Sequence, residues 1–186
     1  FIGAYAVVSL EGGKLKDLKV DDVYNVDGIL EEKNLGLEAP LEYKQYLGED
    51  KIYLRDSNYN PDFTQSAGLA LDLYESATNE KIDAVIALNF EVIKSLLEKT
   101  GSLFLFDYGE VSADTLFEKS VYFSEKNYYK GSQAKRSFLG SLTETLLYEF
   151  LKNPDGFISK GISGLLEELQ GRNLFVYFPQ SGVQEI

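Results

Sequence analysis

Two β-prone runs, residues 5–10 and Leu15 to about Tyr24, with partial alternation of apolar and polar positions, flank Glu11-Gly12-Gly13-Lys14. A Gly-Gly pair between two β-prone runs predicts a tight N-terminal β-hairpin, since both turn residues can take positive φ. Residues 25–36 are mixed and acidic and read as a loop with a single helical turn. Pro40 opens and Gly48 closes a short helix carrying Leu41, Tyr43, Tyr46 and Leu47. Residues 52–55 form a short strand candidate leading into Asp56-Ser57-Asn58-Tyr59-Asn60-Pro61-Asp62, a run of turn formers that ends any strand. From Phe63 to Thr78, apolar Phe63, Ala67, Ala70, Leu71, Tyr74 and Ala77 recur at helical spacing.

The clearest unit spans residues 82–106. A continuous apolar strand over 82–88 leads to Asn89 as N-cap, then to a helix faced by Val92, Ile93, Leu96 and Leu97 and closed by Gly101. A second strand follows over 103–106, so the segment predicts a βαβ unit with parallel strands and a right-handed crossover. A helix is expected to start after Ser112 and run to about Tyr122, and a polar surface loop with Tyr128, Tyr129 and Lys130 over 124–134. Residues 135–152 carry Phe138, Leu142, Leu146 and Phe150 at four-residue spacing and predict a long helix, broken at Asn153-Pro154. Another helix follows to Gly171, faced by Ile158, Ile162, Leu165, Leu166 and Leu169, and a last strand covers 174–178. No repeat, low-complexity tract or linker interrupts this order. The expectation is one α/β domain over residues 1–186, with a central mixed sheet, helices on both faces and the N-terminal β-hairpin.

Charge and missing residue types narrow the chemistry. Lys and Arg number 18 against 30 Asp and Glu, for a net charge of −12, which argues against nucleic acid or a bare anionic membrane as the main partner. Cys and His are both absent, which excludes thiol nucleophiles, disulfides, the Ser-His-Asp triad and the usual zinc sites. Carboxylate, Lys, Arg, Tyr and Ser/Thr chemistry remains, with Mg²⁺ or Ca²⁺ as the metals that oxygen ligands suit. Met is also absent, even at position 1, and Phe1-Ile2-Gly3-Ala4-Tyr5 reads as mid-strand, so a fragment of a longer protein is expected.

Several residues could carry chemistry, each with a plainer role beside it. Asp56-x-Asn58-x-Asn60-x-Asp62 has the alternating oxygens of a calcium loop, but Pro61 stands where Gly is needed and Ala67 where the bidentate Glu belongs. Asp56 and Asp62 could still ligate Mg²⁺; otherwise the run is a turn in which Asp62 caps the next helix. Asp17, Asp21, Asp22 and Asp27 could hold a divalent ion or act as a base, or they could simply guard a strand edge. Arg occurs only at positions 55, 136 and 172. Arg55 enters the Asp56 loop, and Arg136 follows Lys135 at the start of a helix, where an anion would be favoured. For each Arg, a structural ion pair is the plainer role. Gly161-x-x-Gly164 lies in a helical pattern and lacks the Lys-Ser/Thr of a P-loop.

Three segments carry a family resemblance: Phe1-Ile2-Gly3-Ala4-Tyr5 with its hairpin, Leu54-Arg55-Asp56-Ser57-Asn58 with Pro61-Asp62-Phe63, and Ile82-Asp83-Ala84-Val85-Ile86-Ala87-Leu88-Asn89. The sequence resembles the bacterial domain-of-unknown-function family numbered 4012, across nearly the whole chain. The resemblance implies a larger extracytoplasmic, cell-envelope protein, usually anchored by an N-terminal membrane helix. That family in turn looks distantly similar to the LytR-CpsA-Psr phosphotransferases, which move glycopolymers from polyprenyl-pyrophosphate carriers to the cell wall. On that likeness the fold is LytR-CpsA-Psr-like, and Lys135 and Arg136 correspond to the Arg-rich start of a helix that binds pyrophosphate. Two departures stand out. Val20-Asp21-Asp22 replaces a phosphate-binding Arg segment, and Phe1-Ile2-Gly3 replaces a metal-binding Asp-Thr pair.

Two readings follow. In the first, an envelope domain binds a polyprenyl-pyrophosphate or glycan-carrier ligand, with glycopolymer phosphotransfer left open. Arg55 and Arg136 would hold pyrophosphate, and Asp22, Asp56 or Asp62 would hold Mg²⁺. In the second, a non-catalytic surface module binds glycan or another envelope protein through tyrosines and an acidic face.

Overall fold

The computed structural model describes residues 2–12, 14–123, 134–152 and 154–179, without the side chains of residues 134–137, 151 and 154–159. The hairpin is formed by β1 (Ala4–Glu11) and β2 (Lys14–Asp22), and α1 (Val23–Glu32) follows directly. Next come β3 (Leu37–Glu38), α2 (Leu41–Leu47), β4 (Lys51–Ile52), a 3₁₀ helix (Leu54–Tyr59) and α3 (Phe63–Thr78). The remainder is β5 (Val85–Leu88), α4 (Phe90–Thr100), β6 (Leu103–Leu105), β7 (Gly109–Val111), α5 (Leu116–Val121), α6 (Ala134–Lys152), α7 (Pro154–Gln170) and β8 (Leu174–Tyr177).

The chain is mixed α/β, but the expected central sheet does not form among the described residues. The strands instead pair in four two-stranded sheets: β1 with β2, β3 with β4, β5 with β8, and β6 with β7. The expected βαβ unit fails because β6 turns back on itself. The Tyr108 amide donates to the Leu105 carbonyl at 3.1 Å, Gly109 takes φ +72°, and β7 returns antiparallel with Phe104 opposite Glu110. The strand expected over 52–55 also stops early, at Ile52. Beyond it the backbone donors of Tyr53, Leu54 and Arg55 bond to carboxylates rather than to a neighbouring strand.

A helix replaces the loop expected over 25–36. Asn25, Asp27 and Gly28 are weak helix formers, yet Val23, Val26 and Leu30 are almost fully buried at helical spacing, and burial outweighs propensity. The expected start and stop signals hold elsewhere. Asp62 caps α3, Asn89 caps α4, and Gly48 ends α2 with φ +72°.

The fold divides into two compact units. Among the described residues, one holds 2–5, 21–86 and 176–179. There α1 packs on α3 and on the 3₁₀ helix, with Val23, Val26, Leu30, Leu71 and Leu73 buried. The other draws on 6–20 and 87–175. There α4 packs on α7, and Leu97, Leu103, Leu105, Val111, Leu116, Phe138 and Leu142 form one buried cluster. No helix among the described residues is long and apolar enough to cross a membrane.

Candidate functional site

A dense polar arrangement surrounds Arg55, where the 3₁₀ helix begins. A helix start leaves backbone N–H groups without intrahelical acceptors. Asp27, on the buried face of α1, supplies one: its Oδ1 accepts from the amides of Leu54 (2.8 Å) and Arg55 (3.4 Å), and its Oδ2 accepts from Arg55 Nη1 (3.2 Å). Asp56 supplies the other. Its Oδ2 accepts from the Tyr53 amide at 3.2 Å and lies 3.6 Å from Arg55 Nε, while its Oδ1 accepts from the Tyr43 hydroxyl at 2.6 Å. Both carboxylates are buried, with Asp27 4% and Asp56 2% exposed.

Aromatic rings flank the same guanidinium. Its carbon lies 5.2 Å from the Tyr53 ring centre and 5.8 Å from that of Tyr24, within cation–π range. Gly36 makes room for the Tyr53 ring, because a Cβ there would fall 2.6 Å from Tyr53 Cε1. Tyr24 is 62% exposed and the Arg55 side chain 22%, so the cluster reaches the surface through the tyrosine.

Electrostatics follow the packing. Burial raises the Asp27 carboxyl above its ordinary value, opposed by Arg55 and by the two amides it accepts from. Burial works against the Arg55 charge, but the Asp56 and Asp27 carboxylates outweigh it and raise the guanidinium further. Burial, then the bond to Asp56, raises the Tyr43 phenol, which stays a neutral donor. Arg55 thus has its charge balanced inside the chain. A phosphate arriving there would meet two fixed carboxylates before it met a free guanidinium.

The other candidate residues serve different ends. Asp22 caps α1, accepting from the Tyr24 amide at 3.0 Å, and the Asp21 carboxylate beside it accepts from the Asp22 amide and from Asn25 Nδ2. Asp62 caps α3 through the Thr64 amide at 2.9 Å and also accepts from Gln65 Nε2 at 3.1 Å. Asn60 Oδ1 in turn accepts from the Asp62 amide. The oxygen-rich run closes on its own backbone, as the turn reading has it. Among the described residues no three acidic side chains gather as metal ligands. Asp22, Asp56 and Asp62 each serve a separate helix start. Lys135 and Arg136 lie in the first turn of α6 by backbone, and their side chains fall outside the described residues, as do Tyr128 and Tyr129 altogether. Arg172 is exposed, in a left-handed turn after α7.

Sequence reasoning placed Arg55 beside Asp56 but missed Tyr24, Tyr43 and Tyr53, and gave Asp27 no link to Arg55. A signal for Asp27 existed: it shares the helical face of Val23, Val26 and Leu30, where an acid needs a buried partner. Nothing in sequence spacing pointed to the tyrosines.

No curated protein and no solved structure matches the chain. Residues 1–122 match the model of a family described as "Protein of unknown function (DUF4012)". The match holds the whole Arg55 cluster and stops short of α6 and Arg136. With more than half of its residues in that match, the chain belongs to the DUF4012 family.

Proposed function

We propose that this domain is a non-catalytic, extracytoplasmic module of the cell envelope that binds glycan, with the Tyr24–Arg55–Tyr53 cluster as its contact surface. One observation carries the reading: Arg55 is held by Asp27 and Asp56 and flanked by two tyrosine rings, one of them exposed. Ring faces stack on the C–H faces of sugars, and balanced polar groups nearby suit neutral hydroxyls better than a naked charge. The net charge of −12 points the same way, because it disfavours polyanionic ligands. The envelope placement rests on what the resemblance to the DUF4012 family implies.

The carrier-lipid reading has less support. It needs Arg55 free for pyrophosphate, and it needs carboxylates free for Mg²⁺. In this arrangement Asp56 already accepts from Tyr43 and Tyr53, while Asp22 and Asp62 cap helices. Catalysis of glycopolymer phosphotransfer would then rest on Lys135 and Arg136. Calorimetric titration with a neutral N-acetylglucosamine tetramer separates the two. Binding that Tyr24→Ala weakens roughly tenfold, with an unchanged melting temperature, supports the module. Binding untouched by Tyr24→Ala, or none, overturns this assignment.

A further inference from the structure

A cavity of about 270 Å³ opens between the first turn of α4 and the turn leading into α5, and it shares no residue with the Arg55 cluster. Phe90 and Phe117 line it edge to face, with ring centres 6.4 Å apart. Both rings are solvent-exposed, 40% and 69%, although neither belongs to the buried cluster that Leu116 joins from the same helix. Part of the apolar surface of these two rings therefore stays open to a partner. The volume is below the roughly 300–1,000 Å³ typical of pockets for whole small ligands, and suits one large side chain.

Charge narrows the occupant further. Glu91 and Asp114 line the cavity, while the one cation there, Lys94, has its amine 4.0 Å from Glu98. The local balance is negative, on a chain of net charge −12. We infer that this cavity receives an aromatic or aliphatic side chain from a protein segment that carries Lys or Arg beside it. The apolar side chain would lie in the cavity against the touching rings of Phe90 and Phe117. The neighbouring cation would face Glu91 and Asp114, adding selectivity and speed of encounter more than affinity.

The test is an NMR titration of the isotope-labelled chain with acetyl-Lys-Phe-Lys-amide, with acetyl-Lys-Ala-Lys-amide and acetyl-Glu-Phe-Glu-amide as controls. The expected result is saturable shifts at Phe90, Leu116 and Phe117 with the first peptide alone. Affinity should fall about tenfold in Phe117→Ala and about threefold in Asp114→Asn, the smaller loss being reproduced by added salt. Phe117 lies at the surface, so an unchanged melting temperature is expected for that variant and confirms that its fold is intact. Equal shifts from all three peptides, shifts away from the cavity, or full affinity in Phe117→Ala would overturn the inference. So would a neutral N-acetylglucosamine tetramer perturbing the same resonances, which would make this a sugar site.

Discussion

Asp27 and Asp56 between them accept from three backbone amides, one phenol and one guanidinium, and each substitution there should register in stability. Asp27→Ala leaves Arg55 short of a partner and the Leu54 amide buried without an acceptor. We expect a loss of about 3 kcal/mol in urea unfolding. Tyr43→Phe removes a single bond to a charged acceptor and should cost about 2 kcal/mol. The pH response of Asp27 has a defined sign. Its carboxyl is raised above the ordinary 3.8, so the folded state binds the proton more tightly than the unfolded state. Its contribution to stability is therefore fullest below that value and falls as pH climbs to the folded-state pKa. Asp27→Asn should flatten this segment of the stability–pH curve, measured as the urea midpoint between pH 3 and pH 7.

At the scale of elements, the contact between α4 and α7 depends on a missing side chain. A Cβ on Gly164 would lie 2.8 Å from Ser95 Oγ, and Ser95 is buried. Gly164→Ala gains about 1 kcal/mol of helix propensity but forces the buried Ser95 hydroxyl out of its place, and overpacking of this kind costs roughly 1–3 kcal/mol. We expect a net loss in the native background and a gain in a Ser95→Ala background, where the next atom is 3.4 Å away. A double-mutant cycle by thermal unfolding reads this directly. The Gly161-x-x-Gly164 spacing was visible in the sequence, but its packing role depends on which helix lies opposite. The same limit explains other elements. Long periodic helices such as α3 and α6 were legible because their own spacing fixes them. Helix α1 was not, because its stability comes from burial of Val23, Val26 and Leu30 against other elements. The 3₁₀ helix was hidden for a related reason: Asp27, far away in sequence, accepts the amides that a strand would otherwise have paired.

At the scale of the whole molecule, the family match and the folded units do not coincide. The match ends at residue 122, whereas the buried cluster of Leu97, Leu103, Leu105, Val111 and Leu116 is completed by Phe138 and Leu142 from α6. A chain cut after residue 122 should therefore expose this cluster, bind a hydrophobic dye and lose cooperative melting, while the full chain does neither. A sharp melting transition in the shortened chain would show that α6 is dispensable to that core. The central claim concerns the other unit, where Arg55 is occupied by its own carboxylates. The most direct measurement is a thermal-shift titration with a short-chain polyprenyl pyrophosphate, with and without Mg²⁺, set beside a neutral N-acetylglucosamine tetramer. The account predicts a saturable rise in melting temperature with the sugar, needing about tenfold more sugar in Tyr24→Ala, and none with the pyrophosphate. A saturable rise that requires pyrophosphate and Mg²⁺ would contradict it and return the carrier-lipid reading to first place.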